Sequence, residues 1–176
     1  MGWGGRNLTG LEIKSLVEKY VDITIDSDDA LEVINEAMDK IGDLGLVYGQ
    51  VTLVAEADTP YRMPADATIV TVILEDGETA DGWTFRGGAI RFARAGTYTI
   101  IARRNPEHIE LIEEELDLHP SYQRSVVTYL RGWFKLKDDD ESPDGHRLMQ
   151  QFRAEVDHTF ALLRRQYSPK TIKVVR

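Results

Sequence analysis

The sequence predicts an α+β fold: a helical bundle with a small inserted antiparallel β domain and an extended C-terminal tail. Apolar residues recur at helical spacing near both ends of the 176-residue chain, whereas they alternate or form β-branched runs between positions 46 and 105. Pro169 then blocks continuation of the last helix. We therefore expect a helical domain over 8–45 and 106–167, an inserted β domain over 46–105 and a tail over 168–176.

A capping pattern and an apolar stripe predict the first helix. Thr9 and Glu12 fit a capping box, in which each side chain accepts a hydrogen bond from the backbone N–H of the other. Apolar residues then recur at the spacing of one helix face along the segment NLTGLEIKSLVEKYVD. They are Ile13, Leu16, Val17 and Tyr20.

A second helix is expected to begin at a cap on Ser27 and to end at Gly42 or Gly45. Its apolar stripe comprises Leu31, Ile34, Met38 and Ile41. Its opposite face is acidic and comprises Asp26, Asp28, Asp29, Glu32, Glu36 and Asp39. A solvated surface explains this face, because charge runs are usually solvated and the helix dipole favours acids near its N-terminus.

Strand patterns begin at Val47. The segment VYGQVTLVA alternates, and ATIVTVILED is rich in β-branched residues. Gly87-Gly88 is a two-residue hairpin signal between WTF and AIRF, and the Ala-Gly pair at 95–96 turns the chain into a further strand. We expect an antiparallel meander of about sixty residues, which is marginal alone at that size and would lean on the helices or on a neighbouring subunit.

Helix is expected to return after Pro106, over the short acidic segment EHIELIEEELDLH. Pro120 suits the first turn of the next helix, since proline lacks the N–H that such a turn leaves unpaired. The stripe of this helix comprises Tyr122, Val126, Tyr129, Leu130 and Trp133. After the polar loop KDDDESPDG, a long helix begins at Ser142-Pro143 with the stripe Met149, Phe152, Val156, Phe160, Leu163 and Tyr167.

Composition and motifs exclude several classes of function. The absence of cysteine excludes disulfides and thiolate metal sites. No nucleophile elbow, zinc-protease motif, phosphate-binding loop or dinucleotide fingerprint occurs. The first ten residues show no signal-peptide pattern, and no apolar run approaches the roughly 20 residues that span a bilayer. We expect no catalytic residue, cofactor or metal, and the net charge of -9 opposes binding to nucleic-acid phosphates.

Two patterns for metal binding are incomplete. No two histidines lie three or four residues apart, as helical zinc ligands do; they are His108, His119, His146 and His158. The first, third, fifth and sixth positions of a calcium-loop pattern are Asp140, Ser142, Asp144 and Gly145. The twelfth position is Gln151, which cannot supply the bidentate carboxylate, so a loop between helices explains these residues.

Three short motifs carry a resemblance to a known family. The first, Tyr-x-apolar-Pro-x-Asp, opens the β part and comprises Tyr61, Met63, Pro64 and Asp66. The second closes the β part, has Ala102 where the family often has an aromatic residue, and comprises Tyr98, Ile100, Arg104 and Pro106. The third begins the next helix and comprises Leu118, Pro120, Tyr122 and Val126. Over roughly residues 8–167 the chain resembles tailed-bacteriophage head-to-tail adaptor (connector) proteins.

The resemblance implies a structural virion protein of the head-tail interface, assembled in the host cytoplasm and not an enzyme. It implies a homo-oligomeric ring of twelve copies, bound to the portal protein above and to a stopper or tail protein below, with no membrane contact. Double-stranded DNA would pass through the lumen without sequence-specific binding, because a wall rich in carboxylates repels phosphates. On this interpretation the lumen-facing residues are Asp28, Glu32, Glu36 and Asp39.

The tail SPKTIKVVR has two interpretations. Terminal segments are usually disordered unless something ties them down. Alternatively, the tail adds a strand to an exposed sheet edge of a partner, through main-chain hydrogen bonds and alternating side chains. The resemblance implies that this partner is the portal, and the binding residues would then be Lys170, Ile172, Lys173, Val174, Val175 and Arg176.

Two other functions fit the sequence. A tail terminator, or another neck or tail-completion protein, is usually α/β with fewer long helices, so a high helix content would count against it. A small soluble enzyme or regulatory module with a carboxylate site would be a stable monomer with an enclosed pocket.

Overall fold

The computed structural model describes residues 7–45, 47–63 and 67–167. Over these residues the chain forms four α-helices with two small three-stranded antiparallel sheets inserted between them, which confirms the α+β class. The helices are α1 (Gly10–Val21), α2 (Ser27–Ile41), α3 (Gln123–Asp138) and α4 (Pro143–Tyr167). The strands are β1 (Val47–Ala55), β2 (Tyr61–Arg62), β3 (Thr68–Leu74), β4 (Trp83–Arg86), β5 (Ala89–Phe92) and β6 (Gly96–Arg104).

The described residues divide into two compact units. The helical unit contains residues 7–45 and 106–167, and the β unit contains residues 47–63 and 67–105. Each unit has its own cluster of buried apolar side chains. Among the described helices, none combines the length and the apolar character that crossing a membrane requires.

Local chemistry places α1 where the sequence predicts it. The capping box is present: Thr9 Oγ1 accepts a hydrogen bond from the Glu12 N–H at 3.2 Å, and Glu12 Oε2 accepts one from the Thr9 N–H at 2.9 Å. Tyr20, predicted in the buried stripe of this helix, is instead 59% exposed, and the Arg131 guanidinium lies 4.2 Å from its ring centre. A cation–π contact therefore covers this ring where the core does not.

The N-cap of α2 is Asp26, one residue before the predicted Ser27. Asp26 Oδ1 accepts hydrogen bonds from the N–H groups of Asp28 at 2.9 Å and Asp29 at 3.4 Å. Its carboxylate also interacts favourably with the positive end of the helix dipole, which a serine hydroxyl does less well. As predicted, α2 ends at Gly42, whose φ of 53° is a conformation that glycine adopts at little cost.

The core of the helical unit forms around α3, which packs against α1, α2 and α4. Tyr122, in the 3-10 turn just before α3, is fully buried, and its hydroxyl donates a hydrogen bond to the Leu44 carbonyl oxygen. The Tyr129 ring meets the Phe152 ring edge-on, with 4.9 Å between their centres. The predicted apolar stripes of α3 and α4 therefore face each other.

Residues 107–119 are not helical, contrary to the prediction. Their backbone pairs with the chain around the start of α1: the Leu116 N–H donates to the Leu8 carbonyl oxygen at 3.0 Å, and the Gly10 N–H donates to that of Glu114 at 3.0 Å. A helix would also place Glu110 four residues before Glu114, where like charges repel. The apolar side chains of the segment are buried without a helix; they are Ile109, Ile112, Leu116 and Leu118. Tertiary pairing and burial thus override a weak helical pattern.

The β unit contains the predicted hairpin but not the predicted meander. Gly87 and Gly88 connect β4 to β5 with φ angles of 58° and 72°. The strand orders are β1-β6-β3 and β2-β5-β4. β6 has nine residues that alternate in burial, and it takes the central position between β1 and β3. Because β1 and β6 are antiparallel along their whole length, Val47 pairs with Arg104 and the two ends of the insert lie side by side.

Candidate interaction surfaces

The first two motifs meet at one aromatic cluster in the β unit. The Phe92 ring stacks on Tyr98 with 4.0 Å between ring centres and lies 6.4 Å from the ring of Tyr61. The Tyr61 hydroxyl accepts a hydrogen bond from the Glu56 N–H at 2.8 Å. Tyr61 in β2 and Tyr98 in β6 therefore stabilise the same core. Outside the described residues lie two further members of the first motif, Pro64 and Asp66.

The third motif lies in the core of the helical unit. Leu118, Tyr122 and Val126 are buried, with at most 2% of each side chain exposed. Pro120 occupies the first position of the 3-10 turn that leads into α3, as predicted. His119 caps this turn, since its Nδ1 accepts a hydrogen bond from the backbone N–H two residues later, at 3.3 Å.

Burial lowers the pKa of His119 below its ordinary value, because the charged imidazolium loses hydration. The unfolded chain consequently binds a proton at this position at a higher pH than the folded chain does. The contribution of neutral His119 to stability is therefore present above about pH 6.5 and is lost as the pH falls below it. Protonation of Nδ1 also removes the acceptor of the cap.

Replacing His119 by asparagine is expected to reduce the loss of stability on acidification. Asparagine retains an acceptor for the cap but does not titrate. The thermal midpoint should therefore fall less between about pH 7 and about pH 5 in H119N than in the unmodified protein. H158N, in which an exposed histidine is replaced, is the matched control. An equal fall in the midpoints of H119N and the unmodified protein would contradict the assignment.

The acidic face of α2 is only partly open to solvent. Asp28 and Glu32 are exposed. Glu36 is half-buried, and its Oε1 accepts a hydrogen bond from the Tyr129 hydroxyl at 2.7 Å. Asp39 Oδ1 lies 2.7 Å from His108 Nε2 in an exposed pair. Two of the four predicted lumen-facing carboxylates thus have partners within the chain.

Glu36 has a structural role that the sequence pattern did not reveal. Its hydrogen bond joins α2 to α3 and keeps the Tyr129 hydroxyl paired at the edge of the core. Burial raises the pKa of Tyr129, and the nearby Glu36 carboxylate raises it further, so the phenol stays protonated and remains a donor. In the sequence, Glu36 stands directly before Ala37 and two residues before Met38, both of which are buried in the fold.

Two exposed surfaces of the helical unit were not predicted. One combines Leu11 of α1 with Leu111 of the segment 107–117; these side chains are 43% and 60% exposed. The other lies on α4 around Leu162, which is 51% exposed. An apolar stripe predicts one buried face for each helical segment, and these residues lie outside the stripes. The predicted partner-binding residues of the tail, 170–176, lie outside the described residues.

The residues of the calcium-loop pattern have other roles in the fold. Ser142 Oγ accepts a hydrogen bond from the Gly145 N–H at 3.3 Å, which caps the start of α4. Gln151 lies within α4 and donates a hydrogen bond to Glu155 Oε1 at 2.8 Å. Within the described parts of the chain, no group of three or more histidine, aspartate or glutamate side chains is placed to hold a metal ion.

Comparison with known proteins does not identify a family. No protein-family model matches the chain, and no curated protein matches it significantly. A proposal for its function therefore depends on the motifs and on where the fold places them.

Proposed function

We propose that this protein is a structural virion protein, a head-to-tail adaptor that forms a ring between the portal and a stopper or tail protein. The observation that carries the proposal is the placement of the motif tyrosines. Tyr61 and Tyr98 share one aromatic cluster in the β unit, and Tyr122 is buried where α3 begins. Motif residues from separate strands of a β insert are expected to hold that insert together, and Tyr61 in β2 and Tyr98 in β6 occupy such positions.

The helix content supports an adaptor over a tail terminator. The described residues contain four helices, of which α4 alone has 25 residues. A tail terminator is expected to have fewer long helices. The proposal assigns no catalytic activity or cofactor to the chain, whose function would be to bind the portal, the stopper or tail protein and further copies of itself.

DNA passage is compatible with the charge of the chain. A ring whose wall carries carboxylates repels the phosphates of double-stranded DNA and provides no cluster of basic side chains to retain them. Asp28 and Glu32 are the exposed members of the acidic face of α2 and are the residues that we assign to the lumen. Glu36 would contribute less to the field in the lumen because it is half-buried, and Asp39 because its carboxylate pairs with His108.

The tail is assigned to portal binding by strand addition. Its apolar residues, Ile172, Val174 and Val175, are interspersed with Lys170, Lys173 and Arg176. Main-chain hydrogen bonds to a sheet edge would supply affinity, and the basic side chains would speed the encounter with an acidic rim more than they tighten the complex.

We expect the purified protein to be monomeric or weakly self-associating and to assemble into a ring on the portal of the same phage. Light scattering of the protein with and without portal measures this assembly. Deletion of residues 168–176 should leave the thermal transition nearly unchanged, while binding to the portal falls sharply.

A matched pair of variants separates strand addition from simple charge attraction. Changing Ile172 and Val174 to aspartate should abolish portal binding, whereas changing Lys170 and Lys173 to glutamine should mainly slow association. A truncated protein that binds the portal with unchanged affinity would disprove the assignment of the tail. A protein that remains monomeric and ignores the portal altogether would disprove the adaptor function.

A further inference from the structure

We propose that copies of this chain associate head-to-tail: the outer face of α4 in one copy docks on an acidic, apolar surface beside α1 in the next copy. The inference rests on the proposed function, since it names the contact between neighbouring copies in the ring. It follows from two exposed surfaces of the helical unit that are complementary in charge and in apolar character. Neither surface includes the tail or the β unit.

The first surface, named here the acidic surface, is formed by the start of α1 and the segment 107–117. The Leu11 N–H donates a hydrogen bond to the Ile112 carbonyl oxygen at 2.6 Å, which brings α1 against this segment and places Leu11 near Leu111. Both leucines are substantially exposed. A groove continues along the same side of α1 and is lined by Leu8, Leu11, Glu12, Ser15, Leu16 and Lys19.

Carboxylates surround the two exposed leucines of the acidic surface. All the glutamates of the segment are exposed to solvent; they are Glu107, Glu110, Glu113, Glu114 and Glu115. His108 lies in the same segment but does not balance the charge of these glutamates, because it pairs with Asp39. A partner that covers Leu11 and Leu111 must therefore bring basic side chains around an apolar centre.

The second surface, named here the basic strip, is the outer face of α4. Its residues fall on one side of the helix and are all exposed; they are Ala154, His158, Ala161, Leu162 and Arg165. Arginines outnumber acids on the exposed part of α4 between residues 147 and 166, where Asp157 is the exposed acid. Small alanines leave room for a neighbour to approach Leu162, and Arg165 lies beside it, one turn further along the strip.

The two surfaces share no residue, since one lies on α4 and the other on α1 and the segment 107–117. α3 packs against both α1 and α4. A copy that offers its basic strip to one neighbour therefore keeps its acidic surface free for the other neighbour. Such a heterologous contact repeats around a ring when the rotation from each copy to the next adds up to a full turn.

The size of the contact indicates weak association in isolation. The basic strip from 154 to 165 is roughly 17 Å long at 1.5 Å per residue, and roughly 10 Å wide, so it offers only a few hundred Å² per copy. Specific interfaces bury at least about 1,000 Å² in total. A template that holds copies next to one another raises their effective concentration and allows such a small contact to form.

Cysteine cross-linking tests the contact directly, because the chain has no cysteine of its own. We expect a short bis-maleimide to link L111C chains to L162C chains when the two are mixed on the portal. Neither variant should link to itself, since a head-to-tail contact brings position 111 against position 162 and not against its own counterpart. V54C, which is exposed in the β unit, replaces L111C in the control mixture.

Charge exchange provides a second test that does not depend on cysteine geometry. Changing His158 and Arg165 to glutamate should abolish the 111–162 link, and changing Glu110 and Glu113 to arginine should do the same. Mixing L162C chains that carry the altered strip with L111C chains that carry the altered surface should restore the link. A folding defect in either variant would not be repaired by such mixing. Each variant is checked for an unchanged thermal transition.

The outcomes distinguish this contact from the proposed function. A ring that forms on the portal without the 111–162 link, or with equal linking of each variant to itself, overturns the head-to-tail contact and leaves the adaptor function standing. Linking of 111 to 162 at high protein concentration with no binding to the portal supports the contact and overturns the adaptor function. Failure of the exchanged charges to restore the link also overturns the contact.

Discussion

Replacing Tyr122 by alanine is expected to lower the free energy of unfolding of the helical unit by about 3–5 kcal/mol, the usual cost of truncating a large buried aromatic residue. Tyr122 is fully buried at the start of α3, and its hydroxyl donates to the Leu44 carbonyl oxygen in the turn that follows α2. The truncation removes both the packed ring and this link between the end of α2 and the start of α3.

The matched control is Tyr122→Phe, which retains the ring but leaves the Leu44 carbonyl oxygen without that donor. We expect it to cost about 1 kcal/mol. Urea denaturation followed by the fluorescence of Trp133 in α3, with the other two tryptophans changed to phenylalanine, measures both variants. Equal costs for Y122A and Y122F would contradict the structure, because they would show that the ring contributes nothing to the core.

Replacing both Gly87 and Gly88 by valine is expected to destabilise the β unit by about 2–4 kcal/mol, at roughly 1–2 kcal/mol for each left-handed residue. The φ angles of 58° and 72° lie in a region that β-branched residues rarely adopt. The strain falls on the turn that joins β4 to β5, and β2 pairs with β5 as well, so the whole second sheet is affected.

Gly49→Val is the control for the hairpin variant. Gly49 lies in β1, its φ is not positive, and a side chain added there would meet nothing within 4 Å. We expect this change to be nearly neutral in the same urea experiment, followed this time by Trp83 in β4. If the double valine variant unfolded at the same urea concentration as G49V, the two glycines would not form the tight turn.

Some features of the candidate surfaces can be predicted from the sequence pattern, whereas others depend on the fold. The acidic face of α2 could be read from the spacing of its carboxylates, but the pairing of Glu36 with Tyr129 could not, since the partner lies 93 residues away. The leucines of the acidic surface look like ordinary core residues in the sequence. Their exposure depends on which side of α1 the rest of the helical unit covers.

The sequence by itself determined the elements whose cause is local. The capping box at Thr9 and Glu12, the hairpin at Gly87-Gly88 and the start of α4 at Ser142-Pro143 each depend on residues within a few positions of one another. Backbone conformation and first-turn hydrogen bonds are decided at that range, so a pattern of a few residues predicts them.

Only the tertiary structure decided the elements that depend on distant partners. Residues 107–119 carry a helical pattern but pair with the chain around the start of α1, about a hundred residues earlier. β6 joins β1 and β3 rather than extending a meander. Both choices follow from burial and backbone pairing between remote segments, which outweigh propensities of a few tenths of a kcal/mol per residue and leave no periodic trace in the sequence.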